Sequence, residues 1–265
     1  LSTRGVEAEV FYNFSDSVSL FAQWRLVSDR LQRGGSLGAS SKLFIERGEM
    51  WLRSQDTAGS GLTVEIGRLK FEDDRLWWWD AELDALRVSH ENGGVEVSLA
   101  AAGEIGRSRS DRRSTDPEQH RVRRWIAQVS WDWHPDQTIS LYLLRHDDRS
   151  RTETVLQTVS TAAQDSSDAR LTWMGARWHG DAQPRPAQSL HYWLDVAGLA
   201  GKERSLEYAM LPLPSRNSIV TGVSSSRLGG WAMDAGLRWQ FAVPGAPRLL
   251  IAHASTLGGT REGIG

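Results

Sequence analysis

Apolar residues recur at every second position along most of this chain, and the spacing of an amphipathic helix is almost absent. Period two is the signature of β-strands with unlike faces. In 124–133, Trp125, Ala127, Val129, Trp131 and Trp133 form one face, and Arg124, Gln128, Ser130 and Asp132 the other, with Ile126 as the exception. In 227–242, Trp231, Met233, Ala235, Leu237, Trp239 and Phe241 oppose Asp234, Arg238 and Gln240. Residues 94–107 set Val95, Val97, Leu99, Ala101 and Ile105 against Glu96, Ser98, Ala100 and Glu104. The pattern predicts about twelve strands, at 5–14, 17–27, 42–54, 61–71, 84–91, 94–107, 122–133, 137–147, 168–180, 188–200, 227–242 and 247–256. Many run to about 10–14 residues, longer than the ~5–6 usual in soluble sheets and long enough for a tilted strand to cross a bilayer.

Connections alternate short and long. Phe14-Ser15-Asp16, His90-Glu91-Asn92-Gly93, His134-Pro135-Asp136 and Val243-Pro244-Gly245-Ala246 are tight, whereas 28–41, 72–83, 108–121, 148–167 and 201–226 are long and charged. Outer-membrane barrels have this layout. A soluble all-β carbohydrate-binding or carbohydrate-active protein also alternates, with its apolar face turned to a second sheet. One rhythm runs from end to end, so 1–265 is expected to be a single β-barrel domain. The start at Leu1 and the Gly-rich close at 258–265 lead us to expect a segment incomplete at both ends.

Composition sharpens this reading. There are 13 Trp against 6 Phe and 4 Tyr, and tryptophan favours the water–lipid interface. No cysteine is present, which removes disulfides, thiol nucleophiles and cysteine metal sites. With 31 basic and 33 acidic residues, no electrostatic argument favours nucleic acid. No Gly-x-Ser-x-Gly elbow, His-Glu-x-x-His pair or phosphate loop marks an enzyme. No cofactor or metal is expected. His146-Asp147-Asp148 and Glu72-Asp73-Asp74 lack an EF-hand's spacing and read as solvated loop charge.

By parity, Arg25, Arg87, Arg124 and Arg238 share the polar face with Glu65, Glu96, Glu104, Asp132, Asp195 and Asp234. Any polar lumen would look like this, so parity assigns a face and not a substrate. Trp77-Trp78-Trp79 suits either an interfacial girdle or stacking on sugar rings.

An ordered set of motifs then resembles the alginate export family of outer-membrane porins. These are Ile66-Gly67-Arg68-Leu69-Lys70-Phe71-Glu72-Asp73-Asp74, Trp78-Trp79-Asp80, Leu83-Asp84-Ala85-Leu86, Asp116-Pro117-Glu118, Leu171-Thr172-Trp173-Met174-Gly175, Gly180-Asp181-Ala182, Tyr192-Trp193 and Gly236-Leu237-Arg238-Trp239. The resemblance implies an all-β fold, an antiparallel transmembrane barrel of eighteen strands of which this chain would supply the second to about the thirteenth. It implies a pore in the bacterial outer membrane that exports an anionic polysaccharide passively. The partners would be that polymer, outer-membrane lipid and, further out, periplasmic secretion-complex proteins. A general or sugar-selective porin for small solutes is the alternative.

Residue by residue, Lys70 matches a pathway arginine, Asp80 and Asp111 match acidic pore residues, and Arg4 matches a lumenal arginine. With Arg87, Arg124 and Arg238 these make the expected pore lining. The family's constriction arginine falls on Gly48, beside Arg47, and a loop glutamate falls on Arg107.

Overall fold

A computed structural model describes residues 2–31, 40–56, 59–72, 80–112, 114–115, 119, 121–150, 153–165, 167–185, 188–212, 215–243 and 245–262. Among them lie thirteen strands: β1 (Ser2–Ser15), β2 (Val18–Leu31), β3 (Ser40–Gln55), β4 (Leu62–Glu72), β5 (Asp80–Asn92), β6 (Val95–Gly103), β7 (Arg123–His134), β8 (Gln137–Asp147), β9 (Thr158–Ser160), β10 (Ser167–Ala182), β11 (Ser189–Met210), β12 (Asn217–Gln240) and β13 (Arg248–Glu262). Each of the twelve predicted strands has its counterpart. β9 is the addition, three residues that pair with β12 from within a long connection.

The residues form two compact units, 1–88 with 101–121, and 89–100 with 122–265. In the first, hydrogen-bonded neighbours follow chain order from β1 to β5; in the second the order is β6-β7-β8-β10-β11-β12-β13. Adjacent strands are antiparallel. This is an all-β meander.

One expectation is corrected. Residues 201–226, read as a long loop, are largely strand, because β11 runs to Met210 and β12 starts at Asn217. Lys202, Glu203, Arg204 and Ser224-Ser225-Ser226 are polar on both faces, so no apolar period announces the ladder there.

Register in the second unit aligns like residues. Trp131, Ile139, Trp178, Leu194 and Ala235 lie directly opposite one another across β7, β8, β10, β11 and β12. Val129, Leu141, Ala176, Val196 and Met233 form the next such row. Trp125, Leu141, Leu143, Met174, Trp178 and Trp231 are exposed apolar side chains on this face. The opposite face holds Arg124, Ser140, Tyr142, Leu144, Arg177, Trp193, Asp195 and Asp234, all buried. Apolar outside and polar inside inverts the arrangement of a water-soluble protein and suits lipid on the outer face. The exception Ile126 is accounted for, since it sits opposite Leu144 in an apolar stretch of the inward face.

Inward aromatic rings lie flat over glycines. Tyr142 crosses Gly175, its partner on β10, so closely that a Cβ there would fall 2.3 Å from the ring. Trp193 covers Gly236 in the same way. The Tyr142 hydroxyl thereby reaches Asp195 at 2.7 Å.

The connection from β8 to β10 has a small core of its own. Val159 of β9 packs with Leu206 and Val220, and the Tyr208 hydroxyl donates to the Asp165 carbonyl at 2.8 Å. Asp148, Asp165 and Asp168 converge around Ser150, whose hydroxyl is 2.6 Å from Asp148 and bonded to Asp165 as well. Burial, and then the charge of Asp168, raise the Asp148 pKa, against the pull of its bonds to Ser150.

Gly175→Ala should lower stability by about 1–3 kcal/mol through overpacking. Urea unfolding in detergent micelles measures it, and a Tyr142→Ala background should relieve only part of the loss, because the added Cβ would also meet the Val196 carbonyl oxygen at 2.6 Å. Asp148 binds its proton more tightly folded than unfolded, so the protection of this loop should fall as pH rises above about 4, the ordinary aspartate value. Asp148→Asn should flatten that dependence in amide hydrogen exchange of residues 153–165.

Candidate functional site

In the second unit the polar chemistry lies on the inward face. In the first unit it is built from arginines held by carboxylates. Strand β2 places Arg25 opposite Glu7, and its guanidinium bonds Glu7 at 3.0 Å and Glu82 of β5 at 2.8 Å. Glu65, buried on β4, accepts from Arg53 at 2.8 Å and also from Arg87 of β5. Arg87 further lies over the Phe71 ring, 5.8 Å from its centroid. Predicted as a pathway cation, Arg87 is therefore half of a partly buried pair, and Arg53 is a second cation on the same carboxylate.

Asp84 is the hub that sequence reading missed. It accepts from Arg47 Nη2 at 2.9 Å and from the backbone N–H groups of Ile105 and Gly106 at 2.8 and 3.1 Å. Buried Arg68 approaches it to 4.0 Å and Glu82 to 3.6 Å. Gly67 directly precedes Arg68 on β4. Its φ of +139° turns the chain where a Cβ would sit 2.1 Å from the Met50 carbonyl oxygen, so only glycine fits. A sequence signal existed, for Asp84 and Arg68 both stand in the recognised motifs.

Asp84 also anchors a loop. Beyond it, residues 108–110 lie beside β3, with Arg47 N–H donating to Ser108 O at 2.8 Å and Ser110 N–H to Ile45 O at 2.9 Å. Asp111 follows, gripping the Arg109 guanidinium through both oxygens at 3.1 Å. Arg109 in turn lies 3.6 Å above the Phe44 ring. Asp111 is thus tied, through Arg109, to a loop that bonds β3.

Lys70 lies near the end of β4, and Asp80 opens β5. The Lys70 ammonium pairs with Glu72, its backbone N–H donates to Glu49 at 2.9 Å, and Asp80 lies within its electrostatic reach. Trp77-Trp78-Trp79, Asp73 and Asp74 lie outside the described residues. Arg4 shares its face of β1 with exposed Val6 and Val10, the face opposite Glu7 and Arg25.

In the second unit Arg124 is inward and 6% exposed, opposite His146. Arg238 occupies the same face near the turns, opposite His191, which bonds Asp181 at 3.1 Å. Ten residues of β12 separate the Arg124 row, at Leu228, from Arg238, about 33 Å along the strand. Midway runs the row Ser130, Ser140, Arg177, Asp195, Asp234. Asp195, 1% exposed, takes two bonds from Arg177 at 2.8 and 2.6 Å besides the one from Tyr142, and Asp234 accepts from Trp193 Nε1 at 3.2 Å. Asp132 accepts from Thr138 at 2.6 Å. Glu96, by parity, lies on the face of buried Ala100 and Ala102.

Asp148, Asp165 and Asp168 alone, among the described residues, bring three carboxylates close enough to offer oxygens to one cation. His146-Asp147-Asp148, read from the sequence as solvated loop charge, does not form such a cluster. His146 faces inward and Asp147 outward, where it pairs with Arg149 and Arg170 at 2.7 and 3.4 Å.

The arrangement can do one kind of chemistry. It keeps charge at the inner surface of a low-dielectric wall, where each ion needs a counter-ion. Arginines predominate because their fork can hold one carboxylate while offering N–H groups to another.

Comparison with known proteins agrees with this geometry. The family model for alginate export matches residues 41–261. The alginate production protein AlgE of Pseudomonas aeruginosa is 24% identical over 224 residues, which is 84% of this chain and 44% of that protein. AlgE of Pseudomonas syringae pv. tomato is 25% identical over 215 residues, 77% of this chain and 42% of the relative. The chain spans less than half the length of these curated relatives. A family match over most of the chain, on an antiparallel meander with apolar residues outward and charged residues inward, places this chain in the alginate export family of β-barrel proteins.

Proposed function

We propose that this chain forms part of the wall of a bacterial outer-membrane pore that conducts an anionic polysaccharide, an alginate-like polyuronate, by passive export. The observation that carries the proposal is the inward face of paired arginines and carboxylates backed by an outward face of Trp, Leu, Val and Met. The relatives are alginate production proteins, which supports a polyuronate as the cargo. The work is transport, with no bond made or broken.

A polyuronate brings one carboxylate per sugar. Entering a narrow pore strips much of its water, and an unpaired charge there would cost several kcal/mol. Lys70 and Arg87 in the first unit, and Arg124 and Arg238 on the inward face of the second, supply counter-charge. The carboxylates already on or near them, Glu65 beside Arg87 and Glu72 with Asp80 beside Lys70, compete for the same cations. A polymer carboxylate then exchanges with a resident one instead of being trapped, which is the balance conduction needs. Asp111 and Asp80 act on release in this scheme, and Arg4, on the outward face, takes no part. Secretion-complex proteins on the periplasmic side would deliver the polymer.

Planar-bilayer recording tests this. Neutralising Lys70, Arg87 and Arg238 to Gln should shift the reversal potential away from anions and raise the polyuronate concentration for half block at least about threefold. Asp80→Asn should act in the opposite sense, prolonging each block. Unchanged reversal potential and block in all of these variants would overturn the polyuronate reading and leave a pore for small neutral solutes.

A further inference from the structure

In the second unit the outward face also carries charge, concentrated toward the long-connection end. Arg123, Asp147, Arg170, Lys202 and Arg227 lie directly opposite one another across β7, β8, β10, β11 and β12. Their parity is that of Trp125, Leu143, Met174 and Trp231, with no register shift between, so they point to the same side as the apolar band. Four cations share this row with a single carboxylate. That carboxylate is already engaged by Arg149 and Arg170. Arg123, Lys202 and Arg227 are exposed, and among the described residues no carboxylate pairs with them.

Position along the strands says what the row faces. On β12 the outward positions from Gly229 to Trp239 run beside Trp231, Met233, Ala235 and Leu237. Those ten residues, tilted as in other membrane barrels, rise about 25 Å, the height of a lipid-facing band. The cations begin one step above, at the long-connection end. Outward positions at the short-turn end are instead Leu190, Trp239 and Leu249. One row below the cations, Arg145 lays its guanidinium on Thr172 Oγ1 at 2.7 Å, beside Trp125. The next row above is balanced, with Asp168 opposite Arg204.

Arg170, Lys202 and Arg227 therefore sit side by side on three adjacent strands, about 5 Å apart, a placement that repels unless an anion lies across it. We propose that this row binds the phosphate groups of phosphorylated glycolipid headgroups in the leaflet at the long-connection end. The proposal rests on the membrane reading above. It fits the site in three respects: phosphate accepts the Arg fork, two phosphates on one headgroup match cations spread over about 14–19 Å, and the row lies where headgroups begin beside an apolar band.

The test uses the chain folded into nanodiscs of phosphatidylcholine containing a minor fraction of diphosphorylated lipid A, with lipid retained per protein read by mass spectrometry. Wild type should enrich the diphosphorylated lipid, and should lose that enrichment in about 0.5 M salt and with enzymatically dephosphorylated lipid A. The triple variant Arg170→Gln, Lys202→Gln, Arg227→Gln should lower enrichment at least about fivefold, while Arg248→Gln at the turn end leaves it unchanged. Equal retention of phosphorylated and dephosphorylated lipid by wild type would overturn the proposal without any variant having to fold. Entry into every nanodisc without preference would sink this inference alone. Failure to enter any nanodisc would sink the membrane reading with it.

Discussion

Everything in this molecule follows from the rule that a strand offers each side chain one of two faces. When one face meets hydrocarbon, every charge in the strand must go to the other. A charge placed there, against a low-dielectric wall, must find a partner. Asp195 shows the rule at full strength, with Arg177 and Tyr142 saturating a carboxylate that water does not reach. The rings of Tyr142 and Trp193 exist in their postures because glycines opposite them leave the sheet surface open. Packing and charge pairing are solved by the same residues.

Much of the fold was legible because the rule writes itself into sequence as period two. Strands β7, β8, β10 and the lower halves of β11 and β12 announce themselves by Trp, Leu and Val at alternate positions. Where both faces meet water, as in Lys202–Met210, the alternation disappears although the ladder continues. β9 is too short to carry any period, and the loop residues that bond to β3 bear no strand signature at all.

The site was legible one residue at a time and illegible in pairs. Parity alone put Arg25, Arg87, Arg124 and Arg238 on the polar face. It could not say that Arg25 would meet Glu82, fifty-seven residues away, or that Asp84 would hold both Arg47 and a loop backbone. Those partnerships depend on register between strands, and register is set by turns and bulges such as the shift between Ala22 and Trp24. Arg4 exposes the same limit, for it was placed through the family resemblance, and the register of β1 against β2 puts it with the valines.

The extension of β11 and β12 has a consequence for handling this protein. Above the apolar band the two strands continue as a paired arm, reaching Met210 and Asn217, with β9 joined to its side and Tyr208 bound to the neighbouring connection. At its far end the Leu211 N–H donates to Asn217 O at 3.0 Å. An epitope or fluorophore spliced between Met210 and Asn217 would be presented on a stiff mast with a defined direction, and its orientation would report on the sheet that carries it.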